Sequence, residues 1–141
     1  MSIFVDTGAW YAVADRSDHH HAAAAHFYAE RMPGRGLVTS SLVVAETWAL
    51  LAAHLGRPAA LSFWETLRDA QVPIVPCDPS DLEAAWRVAL AFADQDFSFT
   101  DCTSFALMER LGIDEAFAFD SHYLVYRYGS GRRRSFRRHP D

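Results

Sequence analysis

The 141-residue chain is half hydrophobic and has a formal net charge of −5, so it has enough apolar residues for a core of its own. No apolar run approaches the roughly 18 residues of a membrane span, no basic leader precedes the first apolar residues, and two cysteines make no disulfide framework. We therefore expect one cytoplasmic domain over residues 1–141, and the all-arginine set of thirteen basic residues excludes Schiff-base lysine chemistry.

Short apolar runs alternate with longer helical patterns along the chain. Strands are predicted at residues 3–6, 36–40, 72–76 and 115–120, and SFRRH near the C-terminal end is a candidate edge strand. Helices are predicted from Thr7, over 19–32, 41–55, 58–71 and 80–94, from Thr100 to near Gly112, and from Ser121. Alternating strands and helices indicate a three-layer α/β fold with a central, mainly parallel sheet of four to five strands.

Helix ends carry recognisable capping signals. Ser80 is the predicted N-cap of its helix with Glu83 as capping-box partner, and either Thr100 or Asp101 is the predicted N-cap of the next. Pro33-Gly34 is expected to end the second helix. The only flexible stretch expected is GSG at 129–131.

Charge is unevenly distributed. The tail over residues 129–141 carries five arginines against one aspartate, so the rest of the chain is more acidic than the whole. An acidic body argues against a broad basic groove for nucleic acid. The tail is the one patch expected to attract RNA, and a solvated or edge-strand terminus is its alternative.

Four carboxylates interrupt otherwise apolar stretches. Asp6 and Asp120 each end a predicted strand, and Asp101 is the single charge in FSFTDCTSFALM, residues 97–108. Glu46 has apolar neighbours three and four residues to either side, so we expect it on the buried face of its helix. Helix capping is the alternative for the three aspartates, but it does not explain a glutamate inside a helix.

The carboxyl ends of parallel strands meet at one edge of a sheet, where open α/β proteins form their sites. Four carboxylates in one cleft repel each other and are costly to bury unpaired. The chain has no lysine to neutralise them, and no arginine lies within a few residues of Asp6, Glu46 or Asp101. A divalent cation resolves the repulsion, and hard oxygen ligands suit Mg²⁺ or Mn²⁺.

Four segments in order, FVDTGAWYAVAD, TSSLVVAETWALL, FSFTDCTSFALMERLG and AFAFDSHY, resemble the acidic motifs of PIN-domain ribonucleases, most closely the VapC-type toxins of bacterial toxin–antitoxin pairs. The resemblance runs from residue 3 to about 128. It implies that Asp6, Glu46, Asp101 and Asp120 are catalytic and bind Mg²⁺ or Mn²⁺, which would activate a water to hydrolyse RNA. It also implies a PIN-like α/β/α fold, a homodimer and a small antitoxin protein that blocks the active site.

Residues beside these motifs are weaker candidates. By the same resemblance, Thr7 and Thr100 match hydroxyl positions next to the acids. Asp96 is a possible assistant whose alternative is a solvated loop position. His122 is a candidate for contacting a substrate phosphate, and packing in a loop or helix is the favoured alternative.

The histidines of SDHHHAAAAH do not favour zinc. No pair among them has the i, i+4 spacing that places two ligands on one helix face, so surface or helix-start roles are expected for His19, His20, His21 and His26. The four tryptophans are expected in the core or a dimer interface rather than as base-stacking platforms. The apolar helices over 41–71 suit a partner surface.

Other functions fit less well. Asp6-Thr7-Gly8 spells the aspartic-protease triplet, but that fold is nearly all β and this chain is largely helical. An aspartyl-nucleophile phosphatase needs an acid where Gly8 stands, and a phospho-receiver domain needs a lysine. The remaining alternative is a catalytically silent PIN-like module that binds RNA or protein, and such a module gains nothing from four mutually repelling acids.

Overall fold

A computed structural model describes residues 2–31 and 36–141. Five strands form one parallel sheet: β1 Ile3–Val5, β2 Leu37–Ser40, β3 Ile74–Val75, β4 Glu115–Phe117 and β5 Arg137–His139. Seven helices surround it in the described residues: α1 Thr7–Ala14, α2 His21–Arg31, α3 Ser41–Leu55, α4 Arg57–Asp69, α5 Pro79–Ala91, α6 Phe99–Leu111 and α7 His122–Val125. The predicted α/β fold with a parallel sheet is confirmed, and the candidate edge strand is present as β5.

The strand order β3-β2-β1-β4-β5 places a topological switch between β1 and β4. The chain moves outward from β1 to β2 and β3, then returns to the other side of β1 for β4. Ile3 pairs with Glu115 and Val5 with Phe117 across the switch. In open α/β sheets, the crevice beyond the carboxyl ends of strands at such a switch is where ligands bind.

Both faces of the sheet are covered by apolar packing. On one face, the Phe117 ring of β4 lies 4.6 Å from the Phe27 ring of α2. On the other face, Phe136, just before β5, packs 5.8 Å from Phe105 of α6. Because side chains alternate across a strand, Phe117 and the residues in phase with it point to the α2 layer, and Phe136 and those in phase with it point to the α6 layer.

The helix starts differ from two of the predicted caps. Asp78, not Ser80, is the N-cap of α5, and Asp81 rather than Glu83 completes its capping box. Ser98, not Thr100 or Asp101, is the N-cap of α6. In both cases a polar residue that can cap lies two residues further upstream, and the helix begins at the earlier one.

Four strands are shorter than predicted, β1 and β2 by one residue each and β3 and β4 by three each, and one segment is more regular. β3 has only two residues because Pro73 and Pro76, which lack backbone N–H groups, flank it at the sheet edge. β4 ends at Phe117. The GSG stretch expected to be flexible enters a 3₁₀ turn at Ser130–Arg132, closed by the antiparallel bridge between Tyr128 and Arg134.

Helix α2 begins at His21 rather than at the predicted residue 19. The predicted end of this helix at Pro33-Gly34 lies outside the described residues. Within residues 2–31 and 36–141, no helix is both long enough and apolar enough to cross a bilayer.

A buried hydrogen bond between His139 and Glu115 joins the edge strand β5 to β4. His139 Nε2 lies 2.7 Å from Glu115 Oε1, and both side chains are buried. Hydrogen bonding from His139 holds the pKa of Glu115 below its ordinary value of 4.5. This stabilising contribution is therefore present above that value and is lost as the pH falls through the lower folded-state pKa.

We expect Glu115→Gln to lower the free energy of unfolding by about 1–2 kcal/mol at pH 7, because it removes the charge from a buried hydrogen bond without opening a cavity. Urea denaturation followed by circular dichroism measures the effect. The matched control is Glu30→Gln, which weakens an exposed pair with His26 and should change stability by less than about 0.5 kcal/mol. Equal small effects of both variants would contradict the prediction.

Candidate active site

Two of the predicted site residues follow the strands on either side of the topological switch. Asp6 comes directly after β1, and its backbone N–H donates to the Phe117 carbonyl at the end of β4. Asp120 follows three residues after β4. The two carboxylates therefore lie at the same edge of the sheet, and the negative charge of Asp120 helps to raise the pKa of Asp6.

Asp6 occupies the N-cap position of α1, but its side chain makes no capping hydrogen bond. Its Oδ1 instead accepts a hydrogen bond from the Tyr123 hydroxyl at 3.0 Å, and only 5% of the residue is exposed. Burial, together with the charge of Asp101, raises the pKa of Asp6 to about 7. A carboxylate that neither caps nor meets a cation is costly to bury, so capping does not explain this residue.

Asp101 both caps a helix and points into the site. It is the N3 residue of α6 and forms a capping box with Ser98, whose backbone N–H donates to Asp101 Oδ2 at 3.0 Å. The same Oδ2 accepts a hydrogen bond from His122 Nδ1 at 2.8 Å. Burial raises the pKa of Asp101 despite these two donors. Within the described part of the chain, Oδ1 accepts no hydrogen bond and remains available to a ligand.

His122 joins Asp101 and Asp120 into one cluster. Its Nδ1 lies 3.2 Å from Asp120 Oδ1, which also accepts a hydrogen bond from the His122 backbone N–H at 2.8 Å. One potential ligand atom from each of the three residues lies within 4.8 Å of the others. Burial alone would lower the pKa of His122, but its hydrogen bond to Asp101 and the nearby carboxylate charges raise it.

His122 begins α7 and its ring packs edge-on against Phe97 with centroids 5.0 Å apart, as the favoured packing alternative expected, but its contacts with two carboxylates were not predicted. Its Nδ1 is engaged by two carboxylates. The sequence signal that could have found the contact is the two-residue spacing from Asp120, which is typical of an Asx turn.

Glu46 lies beside the cluster rather than on the buried face of α3. That helix buries Val43, Thr47 and Leu51, while Glu46 is half-buried and its neighbours Ala49 and Leu50 are exposed. The prediction of a buried face was wrong because apolar residues cover both the core side and an outward side of α3. Glu46 Oε2 accepts a hydrogen bond from the Thr100 hydroxyl at 2.8 Å, which links it to the start of α6.

The remaining candidates separate into two groups. Thr7 and Thr100 are buried beside Asp6 and Asp101, and the Thr7 hydroxyl oxygen has no hydrogen-bond partner among the described residues. Asp96 is exposed, and it reaches the cluster only through its charge, which helps to raise the pKa of His122.

The donor set fits a hard divalent cation. The cluster of Asp101, Asp120 and His122 offers carboxylate oxygens, and Thr7, next to Asp6 in the chain, has a hydroxyl with no partner among the described residues; both are ligand types that Mg²⁺ and Mn²⁺ accept. Within residues 2–31 and 36–141, no arginine forms an ion pair with any of the four predicted acids; the ion-pair partner of Asp101 and Asp120 is His122. Burial, and to a smaller extent charge repulsion, raises the pKa values of Asp6 and Asp101, and a bound cation would offset both effects.

Comparison with known proteins gives consistent matches. A family model described as the PIN domain matches residues 3–128. Two curated relatives, the 23S rRNA-specific endonuclease VapC20 of Mycobacterium tuberculosis strains CDC 1551 / Oshkosh and ATCC 25618 / H37Rv, are each 37% identical over 122 residues, covering 86% of this chain and 91% of theirs.

Solved structures match over a similar span. The crystal structure of M. tuberculosis VapC20, described as a sarcin–ricin loop cleaving toxin, matches with a TM-score of 0.82 and 33% identity over 88% of this chain and 94% of that one. The structure of PAE2754 from Pyrobaculum aerophilum matches with a TM-score of 0.63 and 24% identity, over 89% and 85% of the two chains, and indicates the fold alone.

Proposed function

This chain belongs to the PIN-domain family and is a ribonuclease of the VapC toxin type, and we propose that it hydrolyses RNA phosphodiester bonds with a divalent cation, Mg²⁺ or Mn²⁺, held by Asp6, Glu46, Asp101 and Asp120. One observation carries the proposal: carboxylates that have no arginine partner among the described residues lie at the topological switch of a parallel sheet, and one of them has a pKa raised to about 7 by burial and by the charge of a second. That arrangement is unfavourable without a cation.

The individual residues have distinct tasks. Asp6 and Asp101 supply the most buried carboxylates and would bind the cation directly, while Asp120 and Glu46 complete its ligand set directly or through water. Tyr123 orients Asp6 through its hydroxyl, and Thr100 orients Glu46 in the same way. Ser98 and His122 hold Asp101 Oδ2, which leaves Oδ1 without a hydrogen-bond donor among the described residues.

The bound cation would lower the pKa of a water molecule and offset negative charge on the scissile phosphate. A carboxylate not fully used as a ligand can orient that water and accept its proton, for which Asp120, half-buried and beside His122, is best placed. The His122 ring can stabilise negative charge on Asp101 or on Asp120, because its Nδ1 contacts both carboxylates.

For the substrate, we propose 23S ribosomal RNA and its sarcin–ricin loop. The support is similarity to VapC20, whose name and structure description state that target, over most of both chains. The match covers 94% of that structure with a TM-score of 0.82, so the two chains share the same fold.

For partners, we propose a homodimer and a small VapB-type antitoxin that covers the site. The support is exposed apolar surface on two neighbouring helices, where Leu50 and Leu55 of α3 and Leu61 and Trp64 of α4 are all 36–46% exposed. Patches of this kind mark protein interfaces more often than free surface. Trp10, in contrast, is a core residue, as predicted.

The test is cleavage by the purified, antitoxin-free protein of total ribosomal RNA and of a sarcin–ricin hairpin. We expect cutting in Mg²⁺ or Mn²⁺ that stops in EDTA. In a parallel denaturation assay, Mg²⁺ at about 100 times its dissociation constant should stabilise the fold by about 2.7 kcal/mol.

The outcomes separate the parts of the proposal. Cleavage in EDTA as fast as in Mg²⁺ would contradict the cation. Metal-dependent cleavage of ribosomal RNA outside the hairpin would contradict the substrate loop only. Absence of both cleavage and metal binding would favour the silent binding module.

A further inference from the structure

We propose that Arg138, with the stacked side chains of His20 and Phe119, forms a binding subsite for the RNA nucleotide next to the scissile phosphate: Arg138 contacts a phosphate and the His20–Phe119 pair receives a base. The subsite rests on the proposed ribonuclease function, because it lies at the edge of the same acidic cluster. It assigns a role to the histidine run and to part of the arginine-rich tail, which the catalytic site leaves unexplained.

Arg138 brings a positive charge to the edge of the site. Its Nη1 donates to the Phe119 carbonyl oxygen at 3.0 Å, one residue before Asp120. Within the described residues it forms no ion pair with a carboxylate, so its remaining N–H groups are open to a ligand. A guanidinium with free N–H groups is well suited to bind a phosphate in two-pronged geometry.

The strand register points Arg138 toward the catalytic face. Arg138 is paired with Ala116, while its neighbour His139 is paired with Phe117 and stacks on Phe27 of α2. Because side chains alternate, Arg138 lies on the opposite face from His139, in the layer of α6 and α7. That layer contributes Asp101 and His122 to the site.

An acidic site needs a positively charged residue nearby to bind RNA. Four carboxylates repel an incoming polyanion, and a cation bound among them acts only at the scissile phosphate. A fixed arginine beside the cluster can hold the next phosphate along the strand, which orients the RNA backbone without neutralising the catalytic acids.

The stacked pair lies on the other side of the same carbonyl. The His20 and Phe119 rings are 4.3 Å apart with an interplanar angle of 8°, and His19 packs edge-on against His20 at 4.7 Å. His20 is exposed and Phe119 is half-buried, so the pair presents aromatic surface to solvent. The Asp18 carboxylate accepts a hydrogen bond from the His20 backbone N–H at 2.9 Å, which positions the loop.

Exposed aromatic surface beside a phosphate-binding residue is the arrangement by which proteins bind single-stranded or looped RNA bases. Core packing does not require the His20 ring, because that residue is exposed. Phe119 directly precedes Asp120 in the chain, so the stacked pair borders the acidic cluster.

The experiment measures RNA binding apart from cleavage. Fluorescence anisotropy with a labelled sarcin–ricin hairpin, and with a mixed-sequence oligoribonucleotide of equal length, is recorded in EDTA on an Asp6→Asn background that cannot cut. Arg138→Gln retains an amide donor for the Phe119 carbonyl while removing the charge. His20→Ala and Phe119→Leu remove the aromatic surface, and His20→Tyr should restore it.

We expect Arg138→Gln to weaken binding about tenfold and to lower the slope of log affinity against log salt by about 0.7–0.9, as for one lost phosphate contact. Each stacking variant should weaken binding about fivefold or more with little change in the slope. In the cleaving protein the same changes should raise KM while kcat changes less than about threefold.

Matched controls lie next to the tested residues. Arg137→Gln removes the same charge from the opposite face of β5, and His26→Ala removes an exposed histidine of α2. Neither should alter affinity more than about twofold. Urea denaturation of every variant separates lost binding from lost folding.

The subsite would be overturned if Arg138→Gln and Phe119→Leu bind RNA within twofold of the parent, or if Arg137→Gln loses as much RNA affinity as Arg138→Gln. Metal-dependent cleavage would remain intact in either case. If the Asp6→Asn protein binds neither RNA and the native protein cuts neither, the subsite and the proposed function fail together.

Discussion

Replacing Asp6 with asparagine is expected to abolish RNA cleavage while making the metal-free protein more stable. Cleavage should fall about 1,000-fold, because a lost metal ligand removes several kcal/mol of transition-state stabilisation. In EDTA the free energy of unfolding should rise by about 1 kcal/mol, because a neutral amide replaces a carboxylate whose pKa is raised to about 7 by burial and by Asp101.

The stability difference should depend on pH in a defined direction. Below about pH 7 the folded protein takes up a proton on Asp6, whereas the unfolded chain does so only near the ordinary value of 3.8. The wild-type protein is therefore stabilised by this group as the pH falls from about 8 to 5, and the advantage of Asp6→Asn should shrink over the same window.

Urea denaturation at pH 8 and pH 5.5, with and without Mg²⁺, measures these effects beside a cleavage assay. Asp94→Asn is the matched control, because Asp94 is an exposed aspartate outside the cluster, and it should change neither cleavage nor stability appreciably. An Asp6→Asn protein that is less stable than wild type in EDTA and still cuts RNA would show that Asp6 is structural.

The second large effect is expected at Asp101, where capping and metal binding can be separated. Asp101→Asn should lower cleavage about 1,000-fold and remove stabilisation by Mg²⁺. Ser98→Ala removes the hydroxyl that accepts the Asp101 backbone N–H at 3.0 Å and should cost about 1 kcal/mol of stability, while most of the cleavage activity remains.

Calorimetric titration with Mn²⁺ and a cleavage assay distinguish the two roles. Equal losses of cleavage in both variants, with both still folded by circular dichroism, would mean that Asp101 acts through the helix start alone. Loss of metal binding in Asp101→Asn but not in Ser98→Ala would establish the carboxylate as a ligand.

Local sequence patterns were sufficient for the order and type of most elements. Alternating apolar runs and helical periods predicted the parallel sheet, and α3 has the predicted bounds, residues 41–55. Aspartates after β1 and β4 were identifiable because strand ends in a parallel sheet share one edge, which is a property of the backbone rather than of particular contacts.

Caps were predicted less well, because several polar residues in a row can serve and the tertiary packing of the helix decides among them. Ser98 and Asp78 were both missed in favour of residues two or three positions later. Glu46 shows a related limit: apolar neighbours on a helix do not distinguish the core from an exposed partner surface, and α3 has both.

Contacts between distant segments could be seen only in the folded chain. Tyr123 reaches Asp6 across 117 positions of sequence, Thr100 reaches Glu46 across 54, and Arg138 reaches the carbonyl before Asp120 across 19. Residue types and spacing therefore pointed to the four acids, and their role in binding a metal stays a prediction. The residues that orient those acids depend on strand order and helix packing. A hydrogen bond joins atoms a few ångströms apart in space, and it leaves no periodic pattern in the sequence.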